Sequence, residues 1–528
     1  MEPAEPTQST TPEVTAISPW RAWTLLFIFS MAQLLDIFNV TAPNIALPRI
    51  ADELGAPFNE RQWIINAYAL TFGAFLLTAG RFSAMFGHKL LFLIGLVDLG
   101  ICALINGFAV NGPMLYVFRA IQGIGAAMTV PTAMSMIVFI FPARSQQDRA
   151  LGIFAGMGAL GNVLGTIIGG VIAEKLTWRW IFYIMAIVIL VLAVASLFLV
   201  PYFPPEAKGE LHLRNLDWLG LGTITLALIL FVYAVTEGNN RGWGSGGVLA
   251  PLIVSIALIV AFVYTETKVS HPLIPPAIWK LPTFTPLFFI TMSLYGFMNV
   301  FSFQQSQIFQ QIWQTSALSA AIRFIPYGVT GFITTSLVGS IAQYVAAKYI
   351  IVLDLLCILG GTILYQYAPT AEHYWNRVFP AFIITSFGIS SAFVAANLEM
   401  LQAPSRRPEI HIPGVTALIG AIFNSVLQVG SSICIAIATA ITTEVNHGSQ
   451  SSNPSNFQGF KTAYWFVIAL AGFETLLATV ALGGKPAAQR LSTQMQDAPY
   501  MQTIRMERNV VVEEQHSMQH FQHSPSGI

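Results

Sequence analysis

Two charged side chains stand inside long apolar runs of this chain. Asp36 lies in "LLDIFNVTAPNIALP", with Asn39 one helical turn later, and Arg119 lies in "LYVFRAIQGIGAA", one turn before Gln122. A charged group at membrane depth is costly and marks a substrate, ion or proton pathway. We therefore predict proton-coupling chemistry at Asp36 and Arg119, either through proton exchange at the carboxyl group or through pairing of the two side chains.

Amide and aromatic side chains form a second polar group in "MNVFSFQQSQIFQQIW". So many amides would be costly against lipid, and small-molecule sites combine apolar or aromatic walls with a few polar groups. The tentative substrate-contacting set is Asn39, Gln122, Asn299, Phe303 and Gln304. The competing interpretation is that this run partly belongs to the surface at the end of its helix.

Three further acids lie within apolar runs, namely Asp98, Asp354 and Glu474. We expect Asp354 to lie near a membrane interface. Asp98 and Glu474 lie deeper, and for these two the sequence leaves structural and functional roles equally open.

Nothing in the sequence resembles an enzyme site. No phosphate-binding Walker loop is present, which gives ATP-driven transport no support. The three cysteines lie in apolar runs without metal-ligand spacing, so we expect them to be packing residues: Cys102, Cys357 and Cys434. No cofactor and no metal site is predicted.

The composition identifies a polytopic membrane protein. The chain has 528 residues, of which 55% are hydrophobic and only 9% charged, against about a quarter charged in soluble domains. Fourteen runs are long enough to cross a bilayer as helices. Sixteen Lys and Arg residues fall on the side of the tails and eight on the other, which predicts cytoplasmic termini. The net charge of zero gives no argument for nucleic-acid binding.

Glycines mark two elements that would position these groups. The connection "GRFSAMFGHK" lies between the second and third spans, where we expect Gly80 and Gly87 to turn the chain and Lys89 to hold it at the inner face. The fifth span, "GIFAGMGALGNVLGTIIGG", repeats glycine every four residues. That spacing lets another backbone approach closely, for simple packing or for a sealing face between helix bundles.

Taken together, these stretches resemble the major facilitator superfamily, in particular its fourteen-span drug:proton antiporter branch. "LLDIFNVTAPNIALPRI" is similar to the helix 1 signature of that branch, "GRFSAMFGHK" to the superfamily's loop 2–3 motif, and "GNVLGTIIGG" to the helix 5 antiporter motif. "LYVFRAIQGIGAA" is similar to the helix 4 motif with its central arginine. Within the branch the chain is most similar to the aminotriazole-resistance-like exporters of fungi.

The resemblance implies an all-α polytopic fold of two six-helix bundles with two extra central helices. The implied organisation is a disordered cytoplasmic tail (1–21), an N-terminal bundle (22–200), a central loop with two linker helices (201–282), a C-terminal bundle (283–482) and a disordered cytoplasmic tail (483–528). It also implies that Arg119 and Asp36 carry proton coupling. The implied helix 5 seal consists of Gly161, Gly165, Gly169 and Gly170, and Gly80, Gly87 and Lys89 would take part in gating at the loop 2–3 motif.

Two positions depart from the motifs. The loop acid is replaced by Ala84 and the helix 5 proline by Thr166. In the family the acid is thought to help lock the bundles on the cytoplasmic side, and the proline shapes the seal. The departures leave the implied fold intact and bear on gating and transport direction.

The predicted function is proton-coupled efflux of a small organic molecule, such as a drug, toxin or secondary metabolite, by alternating access. The first alternative is an importer or facilitator of a small polar solute, and the second is a non-transporting membrane receptor. The expected partners are the small-molecule substrate, protons and the lipid bilayer, with no nucleic acid, and we expect a monomer. The expected location is the plasma membrane, with the vacuolar membrane as the alternative.

Overall fold

The computed structural model describes residues 18–57, 60–141, 144–202, 217–269, 272–281, 283–342, 344–404, 415–448 and 457–483. Over these residues the chain is almost entirely helical and has no strand. Within the described part of the chain, fourteen helices are long and apolar enough to cross a membrane. An all-α polytopic fold is therefore confirmed, while most of the two predicted tails lies outside the described residues.

The helices follow one another with short connections. They are α1 (Pro19–Glu53), α2 (Trp63–Phe86), α3 (His88–Gly107), α4 (Gly112–Ile140), α5 (Arg144–Lys175), α6 (Arg179–Leu199), α7 (Trp218–Arg241), α8 (Gly246–Glu266), α9 (Phe284–Gln307), α10 (Ala317–Ile341), α11 (Ala347–Tyr365), α12 (Phe379–Gln402), α13 (Val415–Gly448) and α14 (Phe457–Ala481). One π-helical turn follows α9 and another precedes α12.

Helices α1–α6 and α9–α14 form two bundles. In the first, α1 packs on α5, α2 on α4, and α3 on α4 and α6. In the second, α9 packs on α13, α10 on α12, and α11 on α12 and α14. The bundles meet where α5 packs on α10 and α2 on α13. Helix α7 packs against α2 and α13, and thus contacts both bundles, while α8 packs mainly on α7.

The connection between α2 and α3 is much shorter than the sequence predicts. Helix α2 continues to Phe86, and α3 begins at His88. Gly87 alone breaks the helix, with a φ of 95° that a residue with a side chain rarely adopts. The prediction for Gly87 is confirmed, whereas the prediction that Gly80 turns the chain is wrong, because Gly80 continues α2. The side chain of Ala84 lies outside the described part of the structure.

The end of α2 is fastened to the segment that leads into the second bundle. Arg81 donates from Nη2 to the carbonyl oxygens of Pro272 at 3.3 Å and Leu273 at 3.4 Å. The Glu266 carboxylate accepts from the backbone N–H of Leu273 at 3.0 Å and of Ile274 at 2.9 Å. Apolar side chains complete this linker cluster: Leu221, Phe262 and Leu273 with Phe82, Met85, Ile224 and Ile274. The linker helices are thereby joined to α2.

Contacts between the bundles concentrate at the face opposite the two tails. There Asn44 donates to Ser302 Oγ at 2.8 Å, and the backbone N–H of Leu318 donates to Glu174 at 3.0 Å. Toward the tail face, a Cβ added at Gly156 of α5, Gly339 of α10 or Gly420 of α13 would meet nothing within 4 Å. The hydrogen bonds that join the bundles directly therefore lie at the face opposite the tails.

Candidate functional site

Arg119 is the centre of a polar network inside the first bundle. Asn111 caps the N-terminus of α4 by accepting from the backbone N–H of Met114 at 2.9 Å, and Arg119 follows two turns later. Its guanidinium group is completely buried. It donates to the Ile64 carbonyl at 3.0 Å, to the Asn39 carbonyl at 3.1 Å, to Asn39 Oδ1 at 2.9 Å and to Gln122 Oε1 at 3.2 Å. Neutral oxygens thus surround this buried cation.

Tyr68 of α2 connects the two residues predicted to carry proton coupling, Asp36 and Arg119. Its hydroxyl group donates to Asp36 Oδ1, and its ring lies 4.7 Å from the Arg119 guanidinium carbon. Asp36 is only 3% exposed and Tyr68 only 1%. Within the described residues, Asp36 and Arg119 form no ion pair; they interact through Tyr68. No sequence pattern indicates this role, because a tyrosine in an apolar span is ordinary.

The network continues into α3. Gln122 donates from Nε2 to the Leu99 carbonyl at 3.2 Å, and its Oε1 accepts from Asn106 Nδ2 at 3.2 Å as well as from Arg119. Gln122 is completely buried. In this conformation Gln122 therefore orients Arg119, and its contact with substrate stays a prediction.

The other predicted substrate-contacting residues lie in the second bundle. Asn299 of α9 donates to Ser431 Oγ of α13 at 2.7 Å, and Phe303 and Gln304 are buried on α9. The structure therefore divides the predicted set between the bundles, with Asn39 and Gln122 in one and the α9 residues in the other. Their common role at a substrate stays a prediction.

A small cleft lies where α5, α9 and α10 meet. Its polar wall includes Asn162 and Thr166 of α5, Ser302 of α9 and Tyr327 of α10. The Thr166 hydroxyl donates to the Asn162 carbonyl at 2.9 Å. The residue that replaces the motif proline thus lines a space between the two bundles.

The helix 5 glycines face two different partners. A Cβ added at Gly161, Gly165 or Gly169 would collide with α1, against Leu34, Thr41 and Ala42 respectively. A Cβ added at Gly170 would instead collide with Ala321 of α10, in the other bundle. Three of these glycines therefore serve packing within the first bundle, and Gly170 lies at the boundary between bundles. Whether all four act together as a seal stays a prediction.

The loop 2–3 residues lie apart from this network. Lys89 donates to the Leu197 carbonyl of α6 at 2.9 Å, within the first bundle. Gly80 has nothing within 4 Å of an added Cβ. A gating role for Gly80, Gly87 and Lys89 stays a prediction.

Comparison with known proteins decides the family. The profile of the Major Facilitator Superfamily matches residues 29–433, which include the whole network around Arg119. The chain belongs to the Major Facilitator Superfamily. It is a transporter of that superfamily and not an enzyme.

Its relatives within the superfamily include multidrug transporters. The chain is 26% identical to the major facilitator superfamily multidrug transporter mfsC of Aspergillus fumigatus, covering 86% of each chain. It is 25% identical to the aminotriazole resistance protein of Saccharomyces cerevisiae, covering 87% of this chain and 83% of that one. These relatives are consistent with the drug-antiporter branch.

A solved structure supports the fold. The inward-facing, unoccupied crystal structure of a bacterial homolog of the human lysosomal transporter Spinster aligns with a TM-score of 0.60 at 14% identity. The alignment covers 88% of this chain and 97% of that one. At this identity the similarity concerns the fold alone.

Proposed function

We propose that this transporter exports small organic molecules, of the drug, toxin or secondary-metabolite class, in exchange for protons. The observation that carries the proposal is the buried Asp36–Tyr68–Arg119 arrangement, in which a carboxyl group and a guanidinium group share one tyrosine inside a membrane-spanning bundle. Buried ionisable groups in membrane transporters commonly form proton relays. The multidrug transporter and the resistance protein among its relatives support export as the direction.

The proposed coupling step is a change of partners at Tyr68. When Asp36 is ionised, it accepts the Tyr68 hydroxyl hydrogen bond and attracts the Arg119 guanidinium across the ring. When Asp36 takes up a proton, that attraction is lost, and Arg119 is held by the Asn39, Ile64 and Gln122 oxygens alone. Asn39 and Asp36 both lie on α1, so the change of partners alters the contacts of α1 with α2 and α4. Helix α1 also contacts the other bundle through Asn44, which connects the change to the boundary between the bundles.

Proteoliposomes with an imposed pH gradient test this proposal, with the fluorescent cation ethidium as the probe. Asp36→Asn keeps the shape of the side chain and removes its titration, so we expect gradient-driven ethidium transport to be abolished. The matched control is Asp98→Asn on α3, because Asp98 contacts Gly125 and Cys102 and does not join the network. Unchanged gradient-driven transport by the Asp36→Asn carrier would refute the mechanism.

Reversing the gradient tests the import alternative. Thr166 replaces the proline of the antiporter motif and lines the cleft between the bundles. Because this departure bears on the direction of transport, direction is tested separately from proton coupling. We expect ethidium to move against the proton gradient. Movement of ethidium together with protons would instead favour an importer.

A further inference from the structure

A buried acid in the second bundle takes no part in the network around Arg119. Glu474 lies on α14, about two turns, or roughly 10 Å, from the tail-face end of that helix. Its side chain is only 2% exposed, and within the described residues its Oε2 has no hydrogen-bond partner. The proposed coupling at Asp36 leaves this carboxyl group unexplained.

Helices α9, α11 and α13 pack against α14. Ser293 of α9 is the hydrogen-bonding side chain that faces Glu474, and Cys434 of α13 lies close to it. The Ser293 hydroxyl already donates its hydrogen to the Ile290 carbonyl at 2.8 Å. While Ser293 keeps that bond, its Oγ can only accept from Glu474, and the hydrogen between them then comes from the carboxyl group.

No cation faces Glu474 from these helices within the described residues. Helix α9 contains no Lys, Arg or His. On α13 the described charged residue is Glu444, which is exposed at the opposite end. On α11, Lys348 donates to the Thr479 carbonyl at the tail-face end, and Asp354 faces α12. On α14 itself, Lys461 lies at the opposite end.

An ionised Glu474 would thus be an uncompensated buried charge, which is strongly unfavourable. The alternative is a neutral carboxyl group that carries a proton and donates it to Ser293. Burial, the Oε2 atom without a hydrogen-bond partner and the lack of a facing cation within the described residues all favour that alternative. These observations concern geometry and are independent of the Asp36 network.

Two of the helices beside Glu474, α9 and α13, contact the other bundle. Helix α9 contacts α1 through Ser302 and Asn44. Helix α13 packs on α2, where an added Cβ at Gly73 would meet Gln428. Rearrangement of these contacts during transport would change the surroundings of Glu474 and therefore the proton affinity of its carboxyl group.

We propose that Glu474 is a second proton-binding site of the transporter, occupied in this conformation and emptied at another stage of the transport cycle. This inference rests on the proposed proton coupling, and it predicts that the protein exchanges one more proton per substrate than Asp36 alone provides. The matched comparison is Asp354, a buried acid at the same distance from the tail-face end, on α11. Helix α11 packs mainly on α12 and α14, within the second bundle.

Steady-state accumulation measures the number of protons. In proteoliposomes with the membrane potential clamped to zero, ethidium accumulates by a factor that rises tenfold for each exchanged proton at one pH unit. We expect Glu474→Gln to accumulate about tenfold less ethidium than the wild type, and Asp354→Asn to match the wild type. Equal accumulation by Glu474→Gln and the wild type would overturn the proposal. Failure of the wild type itself to accumulate ethidium would instead count against proton-coupled export.

Infrared spectroscopy tests the site without substrate or gradient. A protonated carboxyl group has a C=O stretching band that an ionised carboxylate lacks. At neutral pH, we expect the full-length reconstituted protein to show a component of this band that is lost in Glu474→Gln and kept in Asp354→Asn. The buried Asp354 carboxyl group contributes a component of its own. A wild-type spectrum without a Glu474-dependent band means that Glu474 is ionised, and the proposal is then wrong.

Discussion

At the scale of single residues, the site depends on one tyrosine that serves two ionisable groups. The Tyr68 hydroxyl group donates to Asp36, and the face of its ring lies beside Arg119. The two functions use different parts of the side chain, so they can be separated. Removing the hydroxyl group leaves the ring, and with it the cation–π contact.

Tyr68→Phe is therefore expected to impair transport more than folding. A hydrogen bond to a charged group contributes about 1.5–3 kcal/mol, so we expect gradient-driven ethidium transport to fall at least tenfold. The control is Tyr183→Phe, which removes a hydroxyl bond to the Gly107 carbonyl at 2.8 Å outside the network. Similar thermal unfolding of both variants would show that both fold. Equal transport rates in the two variants would contradict a special role for Tyr68.

At the scale of elements, α5 is held against α1 by direct backbone contact. An added Cβ at Gly161 would collide with the backbone carbonyl group of Leu34, which cannot move as a side-chain tip can. At Gly156, one turn and a fraction earlier, an added Cβ meets nothing within 4 Å. One helix thus has a tightly packed half and a loosely packed half.

Gly161→Ala and Gly156→Ala form a matched pair on this helix. Overpacking typically costs about 1–3 kcal/mol, so we expect Gly161→Ala to lower the thermal unfolding midpoint by several degrees. Gly156→Ala replaces glycine with the best helix former at open space, which favours the helix by up to about 1 kcal/mol. We expect the thermal unfolding midpoint of Gly156→Ala to equal that of the wild type or to be higher. The measurement is thermal unfolding of the purified protein in detergent, and a reversed order would contradict the packing described here.

A second element-scale prediction concerns the linker cluster. Arg81→Gln shortens the side chain that holds the Pro272 and Leu273 carbonyls, so we expect faster hydrogen exchange at the Leu273 and Ile274 amides. The control is Lys89→Gln, which removes a cation at the start of α3 that donates to the Leu197 carbonyl and does not contact the linker segment. Unchanged exchange in Arg81→Gln would show that Glu266 holds the segment without Arg81.

At the scale of the whole molecule, the two bundles are joined at the face opposite the tails. The Asn44–Ser302 hydrogen bond and the contact of Glu174 with the Leu318 N–H cross the boundary there. Alternating access requires such contacts to break when the bundles rock. A covalent bond across the boundary should therefore stop the cycle.

The double variant Asn44→Cys/Ser302→Cys tests this requirement. Asn44 Nδ2 and Ser302 Oγ lie 2.8 Å apart. We expect a disulfide to form under oxidation whenever the two Cβ atoms come within about 4.5 Å of each other. Ethidium transport should be lost on oxidation and restored by a reductant, whereas each single variant should be insensitive to both. Full transport by the cross-linked protein would show that these residues need not separate.

The sequence by itself determined the fold class, the superfamily and the identity of the buried charges. Apolar runs of bilayer length can only become helices, because lipid leaves backbone groups no other partners. Asp36 and Arg119 were conspicuous because charge is rare at that depth.

Only the tertiary structure decided how these residues are connected. That Tyr68 stands between Asp36 and Arg119 depends on the packing of α1, α2 and α4, and no local pattern distinguishes that tyrosine from any other. Residue type also leaves open whether α2 ends at Gly80 or continues past it. In the tertiary structure α2 continues, and its last turns pack against the linker segment through Arg81. The protonation state of Glu474 likewise depends on residues that are remote in sequence, such as Ser293, because the charge of a buried carboxyl group is decided by the groups that face it.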